Sequence, residues 1–208
     1  MLRFNSNLVD QDISRRKCLL WGVGAVAALH GRAASAHENH RVAAGIKRSV
    51  AEYTLPDATL VRDDGRRVQL NAEMNDGRLV MLNFVFTTCS AVCPVTSQVF
   101  AEAQARLGAQ LPKVHMMSIS IDPENDTPAQ LREYAKRFSA GAQWQHYTGS
   151  HAASVMLQKA FATYRGDKMN HLPVTLLRRG VGQPWVRLEG FVSPSELAVE
   201  VRSMLGTA

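Results

Sequence analysis

The sequence predicts an α/β sandwich: a central mixed sheet flanked by helices, with an N-terminal hairpin extension. Three observations carry this. Two runs, RLVMLNFVF at 78–86 and KVHMMSISI at 113–121, are too evenly apolar for half-exposed strands and suit strands covered on both faces. Segments with helical periodicity and N-terminal capping residues alternate with them. The chain then closes with two strands and a helix, which adds antiparallel pairing to a mainly parallel sheet.

The elements follow in order. TLVRDDGRRVQL reads as a hairpin with Asp64-Gly65 at its turn. The 78–86 run is the first central strand. Residues 94–107 fit a helix that turns Val95, Val99, Ala103 and Leu107 inward. The 113–121 run is the second central strand. Thr127-Pro128-Ala129-Gln130 is a capping box with proline at the first helical position, and Leu131, Tyr134 and Phe138 form the buried stripe that follows. WQHYT is a short strand, and 151–164 a third helix. PVTLLRR and PWVRLEGF are two further strands, and Ser193-Pro194-Ser195-Glu196 is a second capping box that opens the last helix. A strand running straight into a cysteine pair at a helix start, with such a tail, describes a thioredoxin-like sandwich.

The first 36 residues resemble a targeting segment. Ser14-Arg15-Arg16-Lys17 precedes a short apolar stretch, as in a twin-arginine export signal, and Ala34-Ser35-Ala36 fits a cleavage site. The expected organisation is an export signal at 1–36, a flexible linker at 37–52 and one domain at 53–208. The domain would be a monomer on the periplasmic side of the inner membrane, soluble or N-terminally anchored. The net charge of the whole chain is +6; the leader's five basic and two acidic residues account for half of it, leaving +3. That is too mild and dispersed for a nucleic-acid surface.

The 208-residue chain has three cysteines. Beyond the leader only Cys89 and Cys93 remain, in a compartment that permits disulfides. They lie in FTTCSAVCP, at the carboxyl end of the first central strand, where open α/β sheets place ligands. The helix start that follows favours a thiolate. Pro94 suits the first helical position, which puts Cys93 near the N-cap and Cys89 on the preceding loop. The pair is thus a redox couple, a metal clamp, or two buried small residues. A structural zinc or an iron–sulfur cluster calls for more ligands than two cysteines. Soft thiolates also suit Cu(I), and copper accepts two sulfurs and one imidazole. His115 lies inside a strand as a packing residue, and His146 and His151 are expected at the surface. His171, just before PVTLL, borders the cysteine loop in such a fold and is the candidate third ligand.

These residues together resemble the Sco/SenC family of copper-binding, thioredoxin-like cytochrome c oxidase assembly proteins. FTTCSAVCP looks like that family's F-T-x-C-x-x-x-C-P motif. SISIDPENDTPAQLREYAKRF is similar to its S-x-D-P-x-x-D-T-P-x-x-L-x-x-Y segment, and NHLPVTLL stands in the place of its distal histidine segment. The resemblance spans about 53–205. It implies that Cys89, Cys93 and His171 bind copper as Cu(I) or Cu(II). It also implies a role in assembling the oxidase's binuclear copper centre, by delivering copper or reducing the target's cysteines. The partner would be the copper-bearing subunit or another copper chaperone. Two positions depart from the pattern: Asn170 replaces the usual aspartate before the histidine, and Leu172-Pro173 replace the usual residues after it. Asp122 and Asp126 match family positions, Asp126 with a structural role at a helix start. The competing reading is an extracytoplasmic thiol–disulfide oxidoreductase that uses Cys89 and Cys93 as its catalytic couple without copper transfer. A peroxidase ranks last, because no basic partner for a peroxidatic thiolate stands nearby.

Overall fold

The computed structural model describes residues 45–206. The export signal expected at 1–36 lies outside the described residues. Among those, eight strands form one mixed sheet, with strand order β1-β8-β7-β4-β5-β6-β2-β3. They are β1 (Lys47–Ala51), β2 (Thr59–Arg62), β3 (Arg67–Gln69), β4 (Leu79–Val85), β5 (Val114–Ser120), β6 (Trp144–Thr148), β7 (Val174–Arg178) and β8 (Trp185–Glu189). The helices are α1 (Leu70–Met74), α2 (Val92–Leu107), α3 (Pro128–Arg137), α4 (His151–Ala160) and α5 (Pro194–Leu205). The pairs β4–β5 and β5–β6 are parallel, and all the others antiparallel. The predicted α/β sandwich and its mixed sheet are therefore present.

Alternation along β4 divides the core. Val80, Leu82 and Phe84 point into one layer with Leu157 and Phe161, while Leu79 and Met81 point into the other. The second layer holds Phe100, Ala103 and Leu107 of α2 and Leu197, Ala198 and Val201 of α5. All seven residues of β4 and of β5 are buried. A sheet covered on both faces thus explains why both runs are apolar throughout.

Three expectations are corrected. Of the linker expected at 37–52, residues 37–44 lie outside the described residues, and from Lys47 it gives way to strand β1, paired antiparallel with β8 from Lys47↔Glu189 to Ala51↔Trp185. β1 is one of the two edge strands, and its charges look like linker because an edge strand carries them to solvent. Arg48 is anchored by two hydrogen bonds to Glu200 of α5. The expected hairpin extension is present as β2–β3, and β2 pairs with β6 so that the hairpin continues the sheet. The second correction is the inward face of α2, which is shifted. It comprises Cys93, Thr96, Ser97, Phe100, Ala103 and Leu107, while Val95 is exposed. A four-residue spacing drifts around a helix of 3.6 residues per turn, whereas alternating threes and fours stay on one face.

The third correction is His146, expected at the surface and found fully buried. Because β2 lies outside it, β6 is an inner strand. The imidazole stacks on Trp144 at 5.2 Å and meets Tyr134 of α3 edge-on at 6.0 Å. Asp63 Oδ2 stands 3.9 Å from Nδ1. Burial lowers its pKa from 6.5 to about 4. The unfolded chain therefore takes up a proton below pH 6.5, which the folded chain refuses until about pH 4. The stability His146 supplies is complete above pH 6.5 and is lost across that window, by on the order of 3 kcal/mol. His146→Gln should flatten the fall by that amount, as measured by urea unfolding at pH 7 and pH 4.5.

The capping residues do their predicted work at α5. Ser193 and Glu196 form the full reciprocal box. At α3 the Thr127 side chain accepts from the Gln130 amide, which is one half of it.

Candidate metal centre

The thiol pair is built by the end of β4 and the start of α2. Phe86 leaves the strand, and its carbonyl accepts the Cys89 N–H at 3.1 Å. The intervening loop is fixed from below by Asp126, which is fully buried. One Asp126 oxygen accepts from the Thr87 hydroxyl at 2.6 Å and the Thr87 amide at 3.1 Å; the other accepts from the Ser120 hydroxyl at 2.6 Å. The structural role expected for Asp126 is thus present, though as a brace under the cysteine loop more than as a helix-start residue.

α2 begins at Val92, not at Pro94, with Ala91 as its N-cap. Cys93 is the second helical residue and Pro94 the third. Proline is tolerated there because the first four helical amides have no acceptor within the helix. The Cys93 N–H points at Cys89 Sγ from 3.4 Å. Cys89 therefore sits on the N-terminus of α2, and Cys93 is turned into the core.

The two thiols differ sharply. Burial opposes ionisation of Cys89, but the amides of Cys93, Ala91 and Val92 together with the Cys93 thiol outweigh it, and its pKa lies below the ordinary value. Burial drives the Cys93 pKa far up; an amide bond from Phe86 offsets part of this, and the Cys89 sulfur and the Asp126 carboxylate add to it. Cys93 has no exposed surface, whereas Cys89 is half-buried. The pair thus consists of one accessible sulfur that ionises the more easily and one covered thiol that hydrogen-bonds to it.

His171 docks on the same strand. It follows a single 3-10 turn, Lys168–Asn170, and is 9% exposed. Its Nε2 lies 3.0 Å from the carbonyl of Phe84 in β4. A carbonyl can only accept, so Nε2 carries the proton and Nδ1 keeps its lone pair. Burial, opposed by the Phe84 bond and aided by Arg165, lowers the pKa and keeps the ring neutral. This tautomer and this kind of backbone partner are those of a metal-binding imidazole. The structure therefore brings Cys89 and Cys93 together and docks His171 on Phe84, two residues upstream of Phe86. It does not bring the three into one ligand set: among the described residues, no three His, Cys, Asp or Glu side chains converge in metal-binding geometry. The donor types nonetheless suit copper, which takes thiolate and imidazole together.

The other histidines are used elsewhere. His115 is buried between the Glu73 carbonyl and the Tyr147 hydroxyl, each at 3.0 Å. His151 is exposed. Asp122, 6% exposed, binds Lys168 Nζ at 2.6 Å through one oxygen. No sequence signal linked those two residues, which are 46 positions apart.

A family model described as SCO1/SenC matches residues 47–206. The chain belongs to the SCO1/SenC family. The "SCO1 protein homolog" of Bacillus subtilis is 33% identical over 98 residues, which is 47% of this chain and 50% of the relative. "Protein SCO1 homolog 1, mitochondrial" of Arabidopsis thaliana is 36% identical over 88 residues, 38% of this chain and 24% of the relative. The chain thus spans half or less of the length of these two relatives. Among solved structures, BsSco is described as having a disulfide switch and as a member of the Sco family of cytochrome c oxidase assembly proteins. It superposes with a TM-score of 0.65 at 25% identity, covering 77% of this chain and 98% of that one. Arabidopsis thaliana ScoI with copper bound gives a TM-score of 0.61 at 24% identity, covering 74% and 98%. The shared fold is the thioredoxin-like one expected.

Proposed function

We propose that this SCO1/SenC chain is a copper-binding assembly factor for the binuclear copper centre of cytochrome c oxidase. Copper is its cargo, held by the sulfurs of Cys89 and Cys93 and by His171 Nδ1. The observation that carries the reading is the paired sulfurs at a helix start, with a neutral imidazole docked on the same strand through its other nitrogen. The relatives support it: one solved neighbour is described as an oxidase assembly protein and another carries copper. Its partner is the oxidase's copper-bearing subunit or another copper chaperone. The twin-arginine-like leader supports a working place on the periplasmic side of the inner membrane. No helix among the described residues is long and apolar enough to cross a membrane.

Titration of the reduced chain with Cu(I) and with Cu(II) tests this. One copper per chain is expected, with thiolate-to-Cu(II) absorption. Cys89→Ser or Cys93→Ser should remove that absorption. His171→Ala should weaken Cu(II) by at least about tenfold, near 1.4 kcal/mol, and Cu(I) by less. Absence of stoichiometric uptake by the reduced parent chain would sink the assignment.

A second reading, thiol–disulfide exchange without copper transfer, is favoured by the inequality of the two thiols. The Cys89 thiolate would attack a partner disulfide, forming a mixed disulfide and releasing one partner thiolate. Cys93 would then attack the Cys89 sulfur, its proton passing to the second partner sulfur as it leaves. Two electrons reach the partner, and a Cys89–Cys93 disulfide remains. The two readings are compatible, since reduction would prepare a target's cysteines for the metal.

A further inference from the structure

One lysine links the ends of β4 and β5 to the turn that carries His171. Lys168 Nζ donates to Asp122 Oδ2 at 2.6 Å, just beyond the end of β5. The same nitrogen lies 5.6 Å from the centre of the Phe86 ring, and the Phe86 carbonyl anchors the Cys89 amide. Lys168 also opens the 3-10 turn that presents the histidine, and its carbonyl accepts the His171 N–H at 3.1 Å. Asp167 closes the turn's other end by accepting the Met169 amide at 2.8 Å.

Asp122 is a firm anchor. It is 6% exposed, its amide is held by the Ser120 hydroxyl at 3.0 Å, and Asn125 Nδ2 bonds both carboxylate oxygens. Besides the clasp, the turn is held by its Asp167 cap and by the His171 ring on the Phe84 carbonyl. Met169 is 70% exposed and Leu172 51%, so apolar burial on either side of His171 contributes little. Asn170, immediately before the histidine, is exposed, and an amide offers no charge there. An ion pair between a nearly buried carboxylate and a half-exposed ammonium, with a short direct bond, escapes much of the solvent screening that weakens surface pairs.

We infer that the Lys168–Asp122 clasp is a positioning device for His171: it fixes the turn that decides whether the imidazole stands within reach of the two sulfurs. Lys168 touches no copper itself and acts through the histidine. The inference rests on the proposed ligand role of His171. It goes beyond that role by assigning Lys168, three residues upstream, the control of the third donor.

The test compares the full-length parent with Lys168→Met, Lys168→Arg and Asp122→Asn, each also in the His171→Ala background. Lys168→Met keeps the chain's length and removes its charge. It should weaken Cu(II) about tenfold, the usual scale for a lost outer partner of a metal-binding histidine. Cu(I), held by the two sulfurs, should change by less than about twofold on the same reasoning. Lys168→Arg should retain most of the parent's affinity, because it keeps the charge. In the His171→Ala background, Lys168→Met should cost nothing further, which marks action through the histidine. In the copper-free protein, amide exchange at Met169–His171 should accelerate about tenfold in Lys168→Met as the turn opens locally.

Unchanged Cu(II) affinity and absorption in Lys168→Met would overturn the inference. So would equal losses of Cu(I) and Cu(II), or an additive loss in the double variant. If the parent chain takes up no copper, the functional reading fails instead. The exchange measurement then still judges the clasp, since unchanged protection of the turn would overturn it.

Discussion

Iodoacetamide is expected to alkylate Cys89 of the reduced, copper-free protein on the order of a hundredfold faster than Cys93, since the thiolate is the attacking species. Two physical effects act in the same direction. The helix start of α2 lowers the Cys89 pKa through the amides of Cys93, Ala91 and Val92, against the opposing effect of its partial burial. Burial raises that of Cys93 and also covers its sulfur completely. Exposure and ionisation therefore favour the same residue. Mass spectrometry of the two cysteines over a time course reads the ratio directly. Comparable rates would show that the helix start opens readily in solution. The asymmetry bears on both proposed activities. In exchange chemistry it makes Cys89 the attacking sulfur and Cys93 the resolving one. In copper capture it makes Cys89 the first sulfur to meet the ion, and Cys93 gives up its proton only as the metal is enclosed.

The parts of this molecule that the sequence makes legible are those that a local pattern encodes. The runs at 78–86 and 113–121 are apolar because both faces of β4 and β5 are covered, so strand, burial and central position all follow from composition. Ser193 and Glu196 announce α5 because a capping box needs only two residues at fixed spacing. The cysteine pair is equally visible, because its chemistry and its place at a strand end lie within one short stretch.

What the sequence hides is what depends on distant pairing. β1 is too short and too charged to signal a strand, and it exists because β8 offers it an open edge. His146 looks exposed until β2 is known to lie outside β6. The start of α2 is misplaced by two residues because proline marks the first turn of a helix and not a single position in it. His171 was legible as a donor type near the site. Its docking on the Phe84 carbonyl, and the clasp that holds its turn, join β4, β5 and the α4–β7 connection, and no local spacing encodes them. The segment from Ser118 to Phe138 is similar to a family motif, yet only the fold shows that Ser120 and Asp126 of that segment brace the cysteine loop of another.

That brace carries the largest expected loss of stability. Asp126→Ala should destabilise the reduced protein by about 4 kcal/mol, because it strands several buried donors at once and each costs about 1–3 kcal/mol unmet. The Thr87 amide, the Thr87 hydroxyl and the Ser120 hydroxyl all donate to this carboxylate. In the folded protein the carboxylate has no exposed surface, so water cannot replace the lost acceptor without opening the loop. Asp126→Asn should cost less than alanine and still more than Ser120→Ala, since the amide keeps one acceptor oxygen but turns an NH₂ towards donors. Urea unfolding of the four proteins measures the series. A loss below about 1 kcal/mol in Asp126→Ala, the worth of a single ordinary hydrogen bond, would mean that the three donors find other partners. The same variant should also narrow the reactivity gap between the two thiols. Thr87 sits two residues before Cys89, and releasing it lets the helix start move away from the sulfur whose charge it stabilises. Loss of stability without any narrowing would instead place the control of Cys89 in α2 alone.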